Sequence, residues 1–237
     1  MEYRAEREEV AYFMRRLYDK NLTTCSGGNV SQKINKDIIC ITPSGLDKGR
    51  ITPEQIGIIT LKGENLTPDL KPSIETSMHI AVHNMRPEIK AVVHAHPVTA
   101  SSFTASEMKI NTALIAESAA VLGIPVFTQY AKQGSSELAQ IVSAATAHAN
   151  IVLMSNHGVL TVGETLLKAF DRIEVLEASA KITLYTELLG PKRALTDSQL
   201  SELVAPPKKD EKSERQLIDF IVKEVVDKIL KMNSYSK

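Results

Sequence analysis

The sequence contains no tryptophan and only two cysteines, Cys25 and Cys40, among 237 residues. Two thiols can make at most one bridge, which excludes the disulfide framework of a small secreted scaffold. An excess of charge is also missing: 28 basic and 28 acidic residues cancel, so no global field draws the chain to nucleic acid or a membrane surface. No apolar run approaches the roughly 20 residues needed to cross a bilayer. The opening "MEYRAEREEVAYFMRRLYDK" is charged throughout and lacks the apolar centre of a secretion signal. What is present is a hydrophobic content of 43%, ample for a core. The expectation is a soluble cytoplasmic protein with no nucleic-acid or membrane partner.

Residues 2–20 read as a helix, with Val10, Phe13, Met14, Leu17 and Tyr18 on one stripe. β-like runs follow at Val30–Ile34, Ile38–Thr42 and Ile56–Leu61, separated by Gly, Pro and Asp turns. A helix from Ser73 to Met85 stops before Pro87, and a strand over Ala91–His96 leads into a helix opened by Pro97. Ser135 or Ser136 can cap a helix running from Glu137 to His148. "NIVLMSNHG" reads as a buried strand ending on His157, and "GVLTVG" as its return. The longest amphipathic helix is Glu164–Leu189, closed by Gly190 and Pro191. Residues 191–237 form an appendage, a polar linker to about Glu214 followed by an amphipathic helix over Leu217–Met232. The pattern predicts one α/β domain over residues 1–190, with strands and helices alternating without a strict βαβ rhythm.

Chemistry concentrates in "KAVVHAHPVTAS". Side chains two apart on a strand share a face, so His94 and His96 project together while Ala95 turns away. That spacing suits two imidazoles on one transition metal, and a catalytic zinc takes three protein ligands and keeps a further position open. His157, in "SNHGV", is the third candidate; the glycine after it permits a sharp turn and leaves space beside an imidazole. A rival set is Glu75, His79 and His83, at i, i+4 and i+8 on one helix. That set has no accompanying loop chemistry, and His79 suits a core face, so the strand pair is preferred and only Glu75 is kept from the helix.

Three loops are suited to an anion. Ser26–Asn29 ("SGGN") offers amides without Cβ obstruction, Thr42–Gly45 ("TPSG") supplies hydroxyls after a strand, and Lys71–Ser73 ("KPS") opens a helix whose unpaired amides favour negative charge. Taken in order, "SGGNVS", "TPSG", "KPSIETSMH", "HAHP" and "SNHGV" resemble the class II aldolase/adducin-head family over residues 5–190. That resemblance implies a three-layer α/β/α sandwich around a mainly antiparallel sheet, assembled as a homotetramer with sites at subunit interfaces. It implies a catalytic Zn(II), or Mn(II) or Co(II), on His94, His96 and His157, with Glu75 as acid/base. It also implies substrate phosphate held among Ser26, Gly27, Gly28, Asn29, Thr42, Ser44, Gly45 and Ser73. The expected reaction is cleavage of a ketose 1-phosphate, similar to fuculose 1-phosphate, to dihydroxyacetone phosphate and an aldehyde through a metal-bound enediolate. A sugar-phosphate epimerase, dehydratase or phosphotetronate decarboxylase of the same fold is the alternative, and a non-enzymatic adducin-like module a more distant one. The chain departs from fuculose-phosphate aldolase in two places. Ile74 stands where a second serine occurs, and "LIAES" around residue 116 holds no catalytic tyrosine; Glu117 and Tyr130 instead resemble the pattern of other family members. Glu117 reads as a structural carboxylate ahead of a neighbouring subunit's acid/base, and Tyr235 as part of a disordered terminus ahead of a residue closing over a neighbouring site.

Overall fold

Alternation along the strands decides which helix meets which face of the sheet. In the computed structural model, which describes residues 1–204, the apolar residues of strand β4 (Ala91–Ala95) divide between two separate cores. Ala91, Val93 and Ala95 pack with Val10, Met14 and Leu17 of helix α1 (Arg4–Asp19), Phe103 of α3 (Val98–Thr104), Leu122 of α4 (Ala116–Leu122), and Phe170 and Leu176 of α6 (Leu166–Leu189). Val92 packs on the opposite face with Met78 and Val82 of α2 (Thr76–Met85) and Leu138 and Val142 of α5 (Ser136–Thr146). The result is an α/β/α sandwich.

The remaining strands are β1 (Asn29–Lys33), β2 (Ile38–Ile41), β3 (Gly57–Thr60), β5 (Val126–Thr128), β6 (Ile151–Met154) and β7 (Gly158–Gly163). They form one seven-stranded sheet in the order β3-β2-β1-β4-β7-β6-β5. Every pairing is antiparallel except β5 with β6, in agreement with the mainly antiparallel sheet expected. His94 sits opposite Asn29 on β1 and Leu160 on β7, so the histidine strand lies in the sheet's interior. All five residues of β4 are buried. A one-residue slip would carry His94 into the α1/α6 core and expose Val93 to the polar site, forfeiting roughly 1.5–3 kcal/mol for each large aliphatic side chain displaced. That penalty holds the register.

Some elements differ from their expected limits. Thr52 and Gln55 form a capping box around a short 3-10 turn at Pro53–Gln55, which delays the third strand to Gly57. β5 and α4 were not expected; each is short, and β5 is only partly buried, so neither imprints a clear hydrophobic period. The polar segment after Gly190 contains a further helix, α7 (Asp197–Val204). Residues 1–200 form one compact unit; it runs past Gly190, where the backbone N–H of Leu195 donates to Ala113 O at 2.8 Å. The expected Leu217–Met232 helix and Tyr235 lie outside the described residues. Among the described residues no helix is long and apolar enough to cross a membrane.

Candidate metal centre and anion pocket

Strand β4 delivers His94 and the residue beyond its end, His96, to the α2/α5 face. The two rings lie edge to face with centroids 4.7 Å apart, and their Nε2 atoms are 3.1 Å apart. His157 reaches them from the β6–β7 hairpin, its ring centroid 4.8 Å from that of His94. The hairpin loop is Ser155-Asn156-His157, between the paired residues Met154 and Gly158. Its turn is made by Asn156, which adopts the left-handed region at φ 53°, a conformation asparagine tolerates. Gly158 therefore does not make the turn expected of it. It leaves space, but for another ring: a Cβ there would stand 2.5 Å from His96 Cδ2 and 2.8 Å from Ala95 O.

Ligand atoms of His94, His96 and His157 all lie within 4.8 Å of one another, the one such cluster among the described residues. His94 Nδ1 donates to Val159 O at 2.9 Å, so its Nε2 presents a lone pair to the centre, the usual way a backbone carbonyl orients a ligating imidazole. Both ring nitrogens of His157 are buried with no hydrogen-bond partner, an arrangement costing about 1–3 kcal/mol per atom unless something satisfies it. Burial lowers His94, and it lowers His96 to about 3 with the neighbouring rings adding to the effect. Both shifts favour the neutral form that a ligand must have. The three residues fit a divalent cation. His96 is held from behind: its N–H donates to Leu22 O at 3.1 Å. The first turn of α3, which begins just after Pro97, is anchored by Glu177, whose carboxylate accepts from the N–H groups of Thr99 and Ala100 at 3.2 and 2.8 Å.

Glu75 closes the site. It is the residue before α2 and caps no helical amide; its side chain instead turns inward and is 1% exposed. Oε2 lies 3.3 Å from His94 Nε2, and Oε1 lies 3.1 Å from His157 Nε2 at an angle outside hydrogen-bond geometry. Burial alone would raise this carboxyl. The rings of His94 and His157 and the amide of Asn29 outweigh that effect and hold it well below the usual carboxylate range.

Behind Glu75 runs a buried chain whose proton positions follow from its ends. Asn29 Nδ2 donates to Glu75 Oε2 at 2.7 Å and to Ser73 Oγ at 3.2 Å, since an ionised carboxylate only accepts. Asn29 Oδ1 then accepts from His79 Nε2–H at 2.5 Å. Burial lowers His79 to about 3, so the ring is neutral and its Nδ1 must accept from Ser31 O–H at 2.7 Å. Ser31 in turn accepts from His83 Nε2–H at 2.9 Å. Every donor in the series points toward Glu75, and Asn29 cannot flip without breaking two bonds. The rival set Glu75, His79 and His83 is therefore not a ligand cluster; its two histidines support Glu75 from behind.

These neutral rings make a prediction about stability. Folded His79 titrates at about 3 and burial keeps His83 well below its ordinary value, whereas both take up protons near ~6.5 when unfolded. Between those values the unfolded chain binds more protons than the folded one. Stability should be complete above pH ~6.5 and decline as the pH falls below it, by up to ~1.4 kcal/mol per pH unit for each histidine. Urea midpoints measured from pH 7.5 to pH 5 should show the decline, whereas a flat profile would mean that the rings titrate freely in the fold.

A pocket opens beside Glu75, lined in part by Ser26, Gly27, Gly28, Asn29, Ser44 and Ser73. Most of the residues expected to face phosphate therefore meet in one place. Gly28, at φ 66°, brings its backbone so close to β4 that a Cβ would stand 2.8 Å from His94 O. Asn29 faces the pocket with both amide protons committed to Glu75 and Ser73. Thr42 stands behind the wall, fully buried, its Oγ1 accepting from Val30 N–H. Gly45 is not part of the lining. Glu117 and Tyr130 are exposed and do not line this pocket. The sequence reading missed two lining residues, Lys48 and Gln133, and missed the role of His79. The only signal for Lys48 was its place four residues after "PS" in the same loop.

The chain matches the model of the Class II Aldolase and Adducin N-terminal domain over residues 8–184. It is 34% identical to an L-fuculose phosphate aldolase of Methanococcus maripaludis, covering 73% of this chain and 93% of that protein. It is 30% identical to a 3-oxo-tetronate 4-phosphate decarboxylase of Haemophilus influenzae, covering 84% and 96%. Its fold superposes on a solved L-fuculose 1-phosphate aldolase with a TM-score of 0.78 at 29% identity, covering 86% of this chain and 96% of that one. A match along most of the chain, together with three histidines that converge at the end of the central strand of an α/β/α sandwich, leads to one conclusion: this chain belongs to the class II aldolase and adducin N-terminal domain family.

Proposed function

We propose that the protein is a metal-dependent aldehyde-lyase that cleaves a ketose 1-phosphate to dihydroxyacetone phosphate and an aldehyde. The observation that carries this reading is a single ionised, buried carboxylate, Glu75, set between the three-histidine cluster and a pocket lined by hydroxyls and glycine amides. His94, His96 and His157 would hold the cation, with zinc the first candidate and manganese or cobalt compatible with imidazole ligands. When bound, it supplies Lewis acidity that stabilises negative charge on the substrate's ketone and neighbouring hydroxyl oxygens.

The chain's own residues account for the rest. Ser26, Ser44, Ser73 and the amide of Gly28 would anchor the phosphate, holding the far end of the substrate in reactive geometry; the N–H of Gly27 is taken by Thr24. Asn29, locked by His79, directs one amide proton at Glu75 Oε2 and leaves Oε1 without a hydrogen bond. That free oxygen is the one placed to carry the proton returned to carbon when the carbon–carbon bond parts. Assembly into a homotetramer, which the resemblance implies, is part of this reading.

A phosphotetronate decarboxylase is the second reading, favoured by the relative from Haemophilus influenzae; the same carboxylate and anion pocket would serve it. Metal-loaded protein should be assayed against a panel of ketose 1-phosphates for dihydroxyacetone phosphate, with phosphotetronic acids and ribulose 5-phosphate alongside. Release of dihydroxyacetone phosphate is expected. Carbon dioxide from a phosphotetronate alone would replace the first reading with the second. No turnover, together with less than about half an equivalent of divalent metal per chain, would indicate an adducin-like interaction module.

A further inference from the structure

Lys48 is a buried ammonium without an anion. It is 2% exposed, and no carboxylate of the described residues lies within ion-pair range of it. Its backbone N–H donates to Cys25 O at 2.8 Å and its Nζ donates to Pro43 O at 2.5 Å. One residue thus ties Cys25, just before the loop Ser26–Asn29, to Pro43 of the loop Thr42–Gly45, and both loops contribute to the pocket lining. A carbonyl meets only one of the three donors of an ammonium. Glu75, the one carboxylate lining the same pocket, is turned toward His94 and His157. Burial by itself moves Lys48 down to about 8, so it still carries its charge at neutral pH.

A buried cation without a counter-charge is among the costlier arrangements in a fold. A loop tie alone does not require one, because a neutral amide would satisfy Pro43 O as well. The other polar donors of the lining (Ser26, Ser44, Ser73, Gln133 and the Gly28 amide) are neutral, so Lys48 alone brings formal positive charge to the pocket. We propose that Lys48 is the specificity-determining residue of this pocket, the single formal positive charge with which it recognises the oxyanion end of the substrate. Where Ile74, 55% exposed, forgoes a hydroxyl, Lys48 compensates with charge. The proposal rests on the pocket being the substrate's anion site and is independent of which bond is broken.

The test uses full-length, metal-loaded protein and inorganic phosphate as probe, read by thermal-shift titration against chloride of equal ionic strength. Lys48→Gln removes the charge while keeping a donor for Pro43 O. It should leave the phosphate-free melting temperature and metal content intact and weaken the apparent phosphate Kd roughly tenfold or more. Lys48→Arg should retain most of the affinity. A parallel titration with acetate identifies the oxyanion: stabilisation by phosphate alone marks a phosphate ester, and equal stabilisation by acetate marks a carboxylate. Should Lys48→Gln not fold, Lys48→Met is read in its place. Phosphate and acetate affinities within about twofold of the unsubstituted protein, or an unsubstituted protein that binds neither ion, would overturn the proposal. Neither measurement needs turnover. Absence of lyase activity therefore leaves the result readable, and lyase activity with unchanged phosphate affinity defeats only the role of Lys48.

Discussion

Glu75→Gln is expected to keep a full complement of metal and to lose about 10²–10⁴-fold in kcat, the range that positioned acid/base groups contribute. The substitution is nearly isosteric, and the three histidines that converge on the cation site are untouched. The glutamine oxygen can take the bond from Asn29 that Oε2 now accepts at 2.7 Å, so the chain back to His83 survives. What disappears is an oxygen able to bind and release a proton beside the histidine cluster. Metal analysis and steady-state kinetics on the same preparation decide the matter: a rate within about tenfold of the original would take Glu75 out of the proton transfer.

Gly158→Ala should act on the metal rather than on the proton. The added methyl would meet His96 Cδ2 at 2.5 Å, Ala95 O at 2.8 Å and His94 Cε1 at 3.4 Å. The rings have little room to retreat. His94 is bonded through Nδ1 to Val159 O, the backbone of His96 to Leu22 O, and α3 is pinned by Glu177. Something must shift, and the Nε2 atoms of His94 and His96 would lose their 3.1 Å approach. Metal affinity should fall about 10–100-fold, as when a ligand's supporting contacts are removed, with turnover falling in parallel and far-UV circular dichroism retained. A variant that still holds one equivalent of metal after dialysis would show that His96 can swing aside freely.

The two effects are separable because the site has two supports. In the proposed mechanism, proton transfer would rest on the chain from His83 through Ser31, His79 and Asn29 to Glu75, which lies between β1 and α2. Metal geometry would rest on β4, the β6–β7 hairpin and the start of α3. A substitution in one should spare the other.

Much of this was legible in residue order because the relevant rules are local. A two-residue period puts His94 and His96 on one face whatever surrounds them, and β-branched runs bounded by turn residues mark six of the seven strands. The stripe Val10, Phe13, Met14, Leu17 marks α1 for the same reason. What escaped were facts created by contact. Asn29 and Glu75 are 46 positions apart and Asn29 and His79 are 50 apart, and no periodicity announces a hydrogen bond across that separation. In "GLDKGR" Lys48 is indistinguishable from a solvated turn residue until the chain closes over it. The hairpin at Asn156 shows the boundary most sharply. The order of residues announces a tight turn bearing a histidine, because asparagine and glycine have known torsional preferences. Which of them turns, and which ring Gly158 makes room for, follows from the packing of β7 against β4, since steric exclusion acts between atoms that only folding brings together.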